Sequence, residues 1–466
     1  MTDHKHEDKA AAAGSYMIPA NNAWAHAWKM AAGVAVVGLA VAAAGYAADP
    51  RRFAFSYLMG FWTVFTMALG TTFFVLLQHL TSAGWSVTVR RAAEFFSAGM
   101  IVVPILFIPN ALNYETLLPW TKFFAGEHVA HAQEDDGHDH GGHDHTGHGV
   151  GADHHRDAHA GHGHAAAHAG GHGEHHTPEH ALHEKITKAK FWYLTPGFLA
   201  FRAVITLIVL TLLALRFFKN STSQDKDGSP TWTVKSARSA PVATMLFALT
   251  MTFLAFDWVM GLEPNWYSTM FGVRVFGSSA VLGLALILLT CLGFKRTGLV
   301  KDEINVEHIH DLGKLMFGFL VFWAYVSFCE FMLIWYAAIP EETAYYHRRW
   351  DFPAWQMVSI AVVVVKFIMP FFLIMSRNVK RNLGVIGFGA GWIAALHLVE
   401  MYYWIMPYYA PDTDVPFSAM GMATDVGCIL FCVGVYLAVV FKRMLNHPVI
   451  PVRDPRLSRA LDFVQV

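Results

Sequence analysis

The chain has 466 residues, of which 55% are hydrophobic and only 15% charged, and it carries 36 Phe, 15 Trp and a positive mean hydropathy. That composition excludes a soluble globular protein and points to repeated crossing of a membrane. The net charge of -1, with Lys and Arg scattered at the ends of apolar runs, excludes a basic patch for nucleic acid.

Residues 1–24 are polar, and an Ala-rich run from about Met30 to Ala47 follows. It is long enough to span and lacks the compact basic region of a signal peptide before it, so it is expected to be retained, with cleavage near Ala47 as the alternative. Further apolar segments lie at about 55–77, 87–108, 197–217, 240–260, 268–292, 312–336, 355–375, 384–404 and 420–441, each near the ~20 residues that a bilayer requires. The expectation is an all-α polytopic membrane protein of about ten transmembrane helices. Spans one to three fall in 25–108, an insertion in 109–190, spans four to ten in 191–441 and a tail in 442–466.

Lys and Arg accumulate in alternate connections, which sets orientation because cytoplasmic connections retain them. Arg90/Arg91, Arg216 to Arg238, Lys295 to Lys301, Arg377 to Arg381 and Lys442/Arg443 fall on one side, whereas 261–267 and 405–419 carry neither residue. Both termini are therefore expected in the cytoplasm. Arg51/Arg52 and Arg348/Arg349 are exceptions.

The insertion holds 18 of the 27 histidines between His128 and His183, among Gly, Ala and Asp. It has no apolar period with which to bury a core, so it is expected to be disordered. Repeats such as GHDHGGHDH place His138, His140, His143 and His145 densely enough to chelate zinc, nickel or copper loosely. A solvated spacer accounts for the same composition. The four cysteines, Cys291, Cys329, Cys428 and Cys432, fall in apolar runs without the spacing of an iron–sulfur or haem site, so any redox role must draw on a partner's cofactors.

The stretch from Met251 to Gly272 brings Asp257 and Trp258 to the end of an apolar run, turns at Glu263-Pro264 and restarts at Trp266. Asp257 is a candidate working residue, since an acid in a span must be solvated by protein or water. It can equally be an interfacial anchor, with Trp258 and Trp266 at headgroup level. Glu330, His397, Glu400 and Asp425 fall at similar depth in their spans. His397 and Glu400 are spaced i, i+3 and share a face along which a proton could pass. Asp257, Glu330, Lys366, His397, Glu400 and Asp425 are therefore candidates for a proton path, with Ser327 and Trp323 beside Glu330 as a polar stripe, and a Glu330–Lys366 pair serving as structural glue is the alternative. Pro370 follows Lys366 by four residues and removes the amide that the Lys366 carbonyl would bond, leaving a kink. On the other side, His79 and Glu94 could form the mouth of a proton path, although Glu94 can simply pair with Arg90 at i, i+4. Gly384, Gly387 and Gly391 are spaced as a close-packing face.

The segments YLTPGFLAFRAVI, MTFLAFDWVMGLEPNWYSTMFGV and DLGKLMFGFLVFWAYVSFCEFMLIWYAAIPEETAYY resemble the second polysulfide-reductase-type (NrfD/PsrC-like) membrane subunits of bacterial Alternative Complex III. The resemblance covers about 191–410 closely and the rest in outline, and the His-rich insertion departs from it. It implies two four-helix bundles with flanking spans in the bacterial inner membrane. It also implies a quinol:cytochrome c or quinol:oxidase oxidoreductase in which this subunit binds no cofactor. Menaquinol or ubiquinol is then oxidised with the help of a C-type NrfD-like subunit, an iron–sulfur protein and c-type cytochromes that carry the clusters and haems, with a terminal oxidase as a further partner. Proton conduction is the role that the resemblance implies for this subunit. A zinc-type metal-ion transporter is the competing reading, but His397/Glu400 is the sole ligand-like pair at helical spacing, too few for a tetrahedral site.

Overall fold

A computed structural model describes residues 16–122, 191–410 and 418–464. The His-rich tract, with His138, His140, His143 and His145, lies outside the described residues. Residues 120–195 separate as a compact unit of their own, which contributes the short helix Phe191–Leu194. Everything below concerns the other unit, residues 1–119 and 196–466.

Among the described residues, ten helices are long and apolar enough to cross a membrane. They are α1 (Trp24–Ala48), α2 (Pro50–Leu80), α3 (Val87–Leu112), α4 (Pro196–Asp227), α5 (Thr231–Trp258), α6 (Met270–Arg296), α7 (Val306–Ala337), α8 (Pro353–Met375), α9 (Leu383–Ile405) and α10 (Ala419–Met444). With no strand among the described residues, the chain is an all-α multi-pass membrane protein, because helices satisfy their own backbone groups where water is absent.

Short connections make most successive helices antiparallel neighbours. The helix pairings sort eight of them into two groups of four, α2–α5 and α6–α9, joined where α2 packs on α6, while α1 and α10 pair with each other and lie against α2. Helices α2 and α6 are the most enclosed of the ten, and they meet where Gly70 and Gly283 bring two backbones into contact. A methyl group on Gly70 would fall 1.8 Å from the Ser279 carbonyl, so only glycine permits this crossing. The α1–α10 contact uses the same device at heptad-like spacing. Ala31, Ala35, Gly38, Ala42 and Gly45 are the buried face of α1, and Gly427 and Gly434 of α10 lie against its backbone. The expected close-packing face at Gly384, Gly387 and Gly391 is not one: Gly387 meets only the Leu292 side chain, and Gly391 faces open space. Small residues at the right spacing pack only if the fold turns a backbone towards them.

Helix α8 widens to a π turn at Val364–Ile368, where the Met369 amide bonds the Val364 carbonyl. In that register the acceptor that Pro370 leaves without an amide is Val365, not Lys366 as the α-helical count implied, and the Trp392 indole fills it at 3.0 Å.

One end of the bundle carries the connections 259–269 and 338–352. Two tryptophans at the first of these connections are buried in protein. Trp258 sits against Phe107 at 4.6 Å and Trp266 stacks on Tyr345 at 4.1 Å, each tryptophan 2% exposed. At the other end the segment after α10 folds back. Its Val449 amide bonds the Tyr16 carbonyl, and Asn305 bonds the Phe463 carbonyl.

Candidate functional site

The sequence placed six ionisable groups in the span interiors and two nearer the Arg90 end, and the structure brings three of the eight into one cluster. His397 and Glu400 point from α9 into the junction of α2, α6, α7 and α8, where Lys366 reaches from the π turn. Lys366 forms an ion pair with Glu400. Ser278 of α6 donates to Glu400, accepts from Lys366 at 3.3 Å, and lies 3.2 Å from His397 Nδ1. The Trp323 indole donates to the second Glu400 oxygen at 2.7 Å, and the Lys366 ammonium lies 4.2 Å from the centre of the Trp323 ring. On the far side of His397, Nε2 lies 2.8 Å from Thr66 Oγ1. Glu400, His397 and Lys366 are 0%, 2% and 2% exposed.

The hydrogen inventory fixes one tautomer. The Thr66 hydroxyl donates to the Trp62 carbonyl at 2.8 Å, with the Thr63 carbonyl at 2.9 Å, so its oxygen accepts from His397 Nε2–H. In the neutral imidazole Nδ1 is then an acceptor, and Ser278 has one hydrogen for two acceptors, Nδ1 and Glu400. Protonating His397 removes that conflict, because Nδ1–H donates to Ser278 while Ser278 donates to Glu400. The arrangement is a short relay from imidazole to carboxylate through one hydroxyl.

The remaining acids are each bound to a basic side chain, and for Glu330, Asp257 and Asp425 it is one that the sequence reading did not assign to them. Glu330 pairs with Arg274 of α6 at 3.0 Å, not with Lys366. Rotation about the helix axes decides this: Lys366 is turned towards α9, whereas Arg274 stands one helical turn before Ser278 on the face of α6 that meets α7. Asp257 takes a two-point bond from Arg202 of α4, at 2.8 and 2.9 Å, and so ties α4 to α5. Asp425 of α10 binds Arg52 at 2.8 Å and Ser56 at 2.5 Å, tying α10 to α2. Glu94 makes the expected pair with Arg90 at 2.8 Å and a second with Arg91 at 3.1 Å. Those arginines continue to Asp454 and Asp225, at 2.8 and 2.6 Å. His79 is buried against Phe217, with both ring nitrogens unpartnered. The Arg90 end is thus a closed charge network and not an open mouth.

Three of the four exceptions to the charge bias are held by acceptors within the protein. Arg52 is held by Asp425, and Arg348 binds Glu263 at 2.9 Å. Arg349 is 1% exposed and donates to the carbonyls of Tyr345, Tyr403 and Trp404 at 2.7–3.1 Å. It thereby caps the last turn of α9 and fixes the 338–352 connection across the bundle end.

A half-open cavity of about 780 Å³ lies between α7, α8 and the short helix Pro340–His347. Its wall includes Trp323, Ser327, Arg274, Tyr346 and Tyr403, so Trp323 divides it from the relay. Burial, followed by the nearby Glu330 charge, pushes the Tyr346 hydroxyl well above its ordinary value, and it stays neutral.

Thr66, Ser278 and Arg274 were missed by sequence reasoning. Hydroxyls in spans usually bond their own helix, as Thr66 also does, and carry no separate signal. Arg274 did carry one, being a permanent charge inside an apolar run.

Among the described residues no group of three or more His, Cys, Asp or Glu is arranged to hold a metal ion. Set against known proteins, the chain matches no protein-family model and none of the curated proteins. The fold and the site together define a class, a multi-pass helical membrane protein with a buried cluster of His397, Glu400 and Lys366 between its helices.

Proposed function

We infer that the chain is a membrane subunit of a bacterial quinol:cytochrome c or quinol:oxidase oxidoreductase, of the ActF type in Alternative Complex III. In this reading it holds no redox group and conducts protons while partner subunits carry the electrons. The observation that supports the conducting role is the Thr66–His397–Ser278–Glu400–Lys366 chain, which links exchangeable groups on four helices out of contact with water. A proton reaching His397 makes the imidazolium. As Nδ1 gives its proton to Ser278, Ser278 gives its own to Glu400, and the imidazole is restored. Neutral Glu400 no longer holds the Lys366 ammonium, which sits on a π turn and against the Trp323 face. Movement of that ammonium is the step that resets the chain. The metal-transporter reading loses its one ligand pair, because the Lys366 ammonium fills the position that a cation would take beside His397 and Glu400.

His397→Gln tests the relay, since it keeps a neutral hydrogen-bonding side chain and removes the titrating group. In the intact complex reconstituted in vesicles, quinol oxidation should persist while protons moved per electron fall. An unchanged ratio removes the relay, and a lone haem-free homodimer on purification removes the complex.

A further inference from the structure

Helices α4 and α10 both pack on α3 and hardly on each other. At one level of the bundle Thr211 of α4 donates to the Met100 carbonyl at 3.5 Å, and Gly99 lies against Tyr436 and Val440 of α10. Between these flanks α3 presents Ile101, Ile105 and Ile108, which no other described part of the chain covers. The result is an apolar groove open to lipid.

About one turn beyond Val440, towards the Arg90 end, the groove stops at charge. Phe218 of α4 packs on Phe95 of α3, and two cationic side chains flank its ring: the Arg443 guanidinium lies 5.7 Å from the ring centre, and His447 meets it edge-on at 5.2 Å. Lys226 stands about two turns further along α4. Arg443 is half-buried, and neither it nor Lys226 forms an ion pair among the described residues. The neighbouring acids are already matched. Arg90, Arg91 and Arg456 hold Glu94, Asp225 and Asp454, and Asp227 faces Arg453. Burial, then the charges of Arg91, Lys226 and Arg443, lower the His447 pKa below its ordinary value. A guanidinium held partly out of water with no counter-charge calls for an anion.

The surroundings specify that anion. The groove runs from the bilayer to Arg443, so the ligand carries an apolar chain, and a zwitterionic head would bring an ammonium of its own against Lys226 and Arg443. We propose that this groove seats one anionic glycerophospholipid from the leaflet at the Arg90 end, its phosphate held by Arg443 beside Lys226 and His447, and an acyl chain lying along Ile101, Ile105 and Ile108. Lys442, the neighbour of Arg443 on α10, turns the other way and lies 5.5 Å from the centre of the Trp28 ring of α1. It therefore separates a built site from a general attraction of basic helix ends for anionic lipid.

The full chain in dodecylmaltoside is titrated with palmitoyloleoyl-phosphatidylglycerol or palmitoyloleoyl-phosphatidylcholine, and lipid adducts are counted by native mass spectrometry. Phosphatidylglycerol should give one saturating adduct at concentrations about tenfold or more below phosphatidylcholine, the worth of one charge-assisted hydrogen bond. Arg443→Gln should erase that preference, Lys226→Gln should reduce it about fivefold, and Lys442→Gln should leave it unchanged. Ile105→Trp fills the groove without altering a charge and should weaken phosphatidylglycerol about tenfold, which keeps the test intact if Arg443→Gln folds poorly. Undiminished preference in Arg443→Gln, or an equal loss in Lys442→Gln, overturns the site. Displacement of the lipid by excess inorganic phosphate, or full binding to Ile105→Trp, assigns a soluble anion instead and overturns the lipid. The assay needs no partner subunit and no proton movement, so the inference stands apart from the conducting role.

Discussion

Glu330 binds Arg274 through one oxygen only, so replacing it separates two effects. Glu330→Gln keeps the shape and leaves a guanidinium buried without its counter-charge, which costs about 3–5 kcal/mol in typical buried pairs. The expected outcome is a lower yield of folded protein and a lower unfolding temperature in detergent. The double change Glu330→Gln with Arg274→Met removes both charges and should recover most of the loss, since a buried pair exchanged for neutral groups is often close to neutral. Full stability in the single variant would remove the Arg274–Glu330 pair as a structural tie. At this scale the sequence identified which residues matter and not which touch. Glu330, Lys366 and Glu400 were legible as acids and bases that apolar spans cannot leave bare. Their pairing depends on the rotation of α6, α8 and α9 about their own axes, which is set by contacts between residues 27 to 122 positions apart in sequence.

Among the elements, α8 shows how one proline can shape a site. The π turn offsets Lys366 from the α-helical stripe and aims it at Glu400, and it survives because the Trp392 indole satisfies the Val365 carbonyl. Trp392→Phe preserves the ring and deletes that donor. It should cost about 1–3 kcal/mol, the price of one unsatisfied buried carbonyl, and should speed backbone hydrogen exchange around Val364–Ile368 above that of α9. Protection equal to the parent would show that the turn needs no external donor. All ten helices were legible from length and apolarity alone, because a bilayer admits few other solutions. The π register was not, since it depends on a tryptophan of the next helix. The glycine crossings were only half visible, since spacing alone favoured Gly384–Gly391 while the fold used Gly70 and Gly283.

For the whole molecule, closure at the Arg90 end rests on Asp454. Burial alone would raise its carboxyl, but the Arg90 and Arg456 guanidiniums outweigh burial and hold it well below the usual carboxylate range. A folded-state value below the unfolded one, near 3.9, contributes stability that is complete above about pH 4 and is lost as acid titrates the folded carboxyl. Limited proteolysis should therefore find residues 445–464 protected from neutral pH down to about pH 4, and cleavable only in stronger acid. Asp454→Asn should leave them cleavable at neutral pH. Protection of that variant, or release of the parent near pH 6, would remove Asp454 as the fastener.

The same contact spans 364 residues of sequence. At synthesis rates of roughly 5–20 residues per second, Asp454 leaves the ribosome about 20–70 s after Arg90. Throughout that interval the third span carries an arginine whose final partner does not yet exist. A chain halted by a stop codon at or before position 454 would permanently leave Arg90 with Glu94 as the one acidic partner of its two, a defect that quality-control proteases could read as unfinished synthesis.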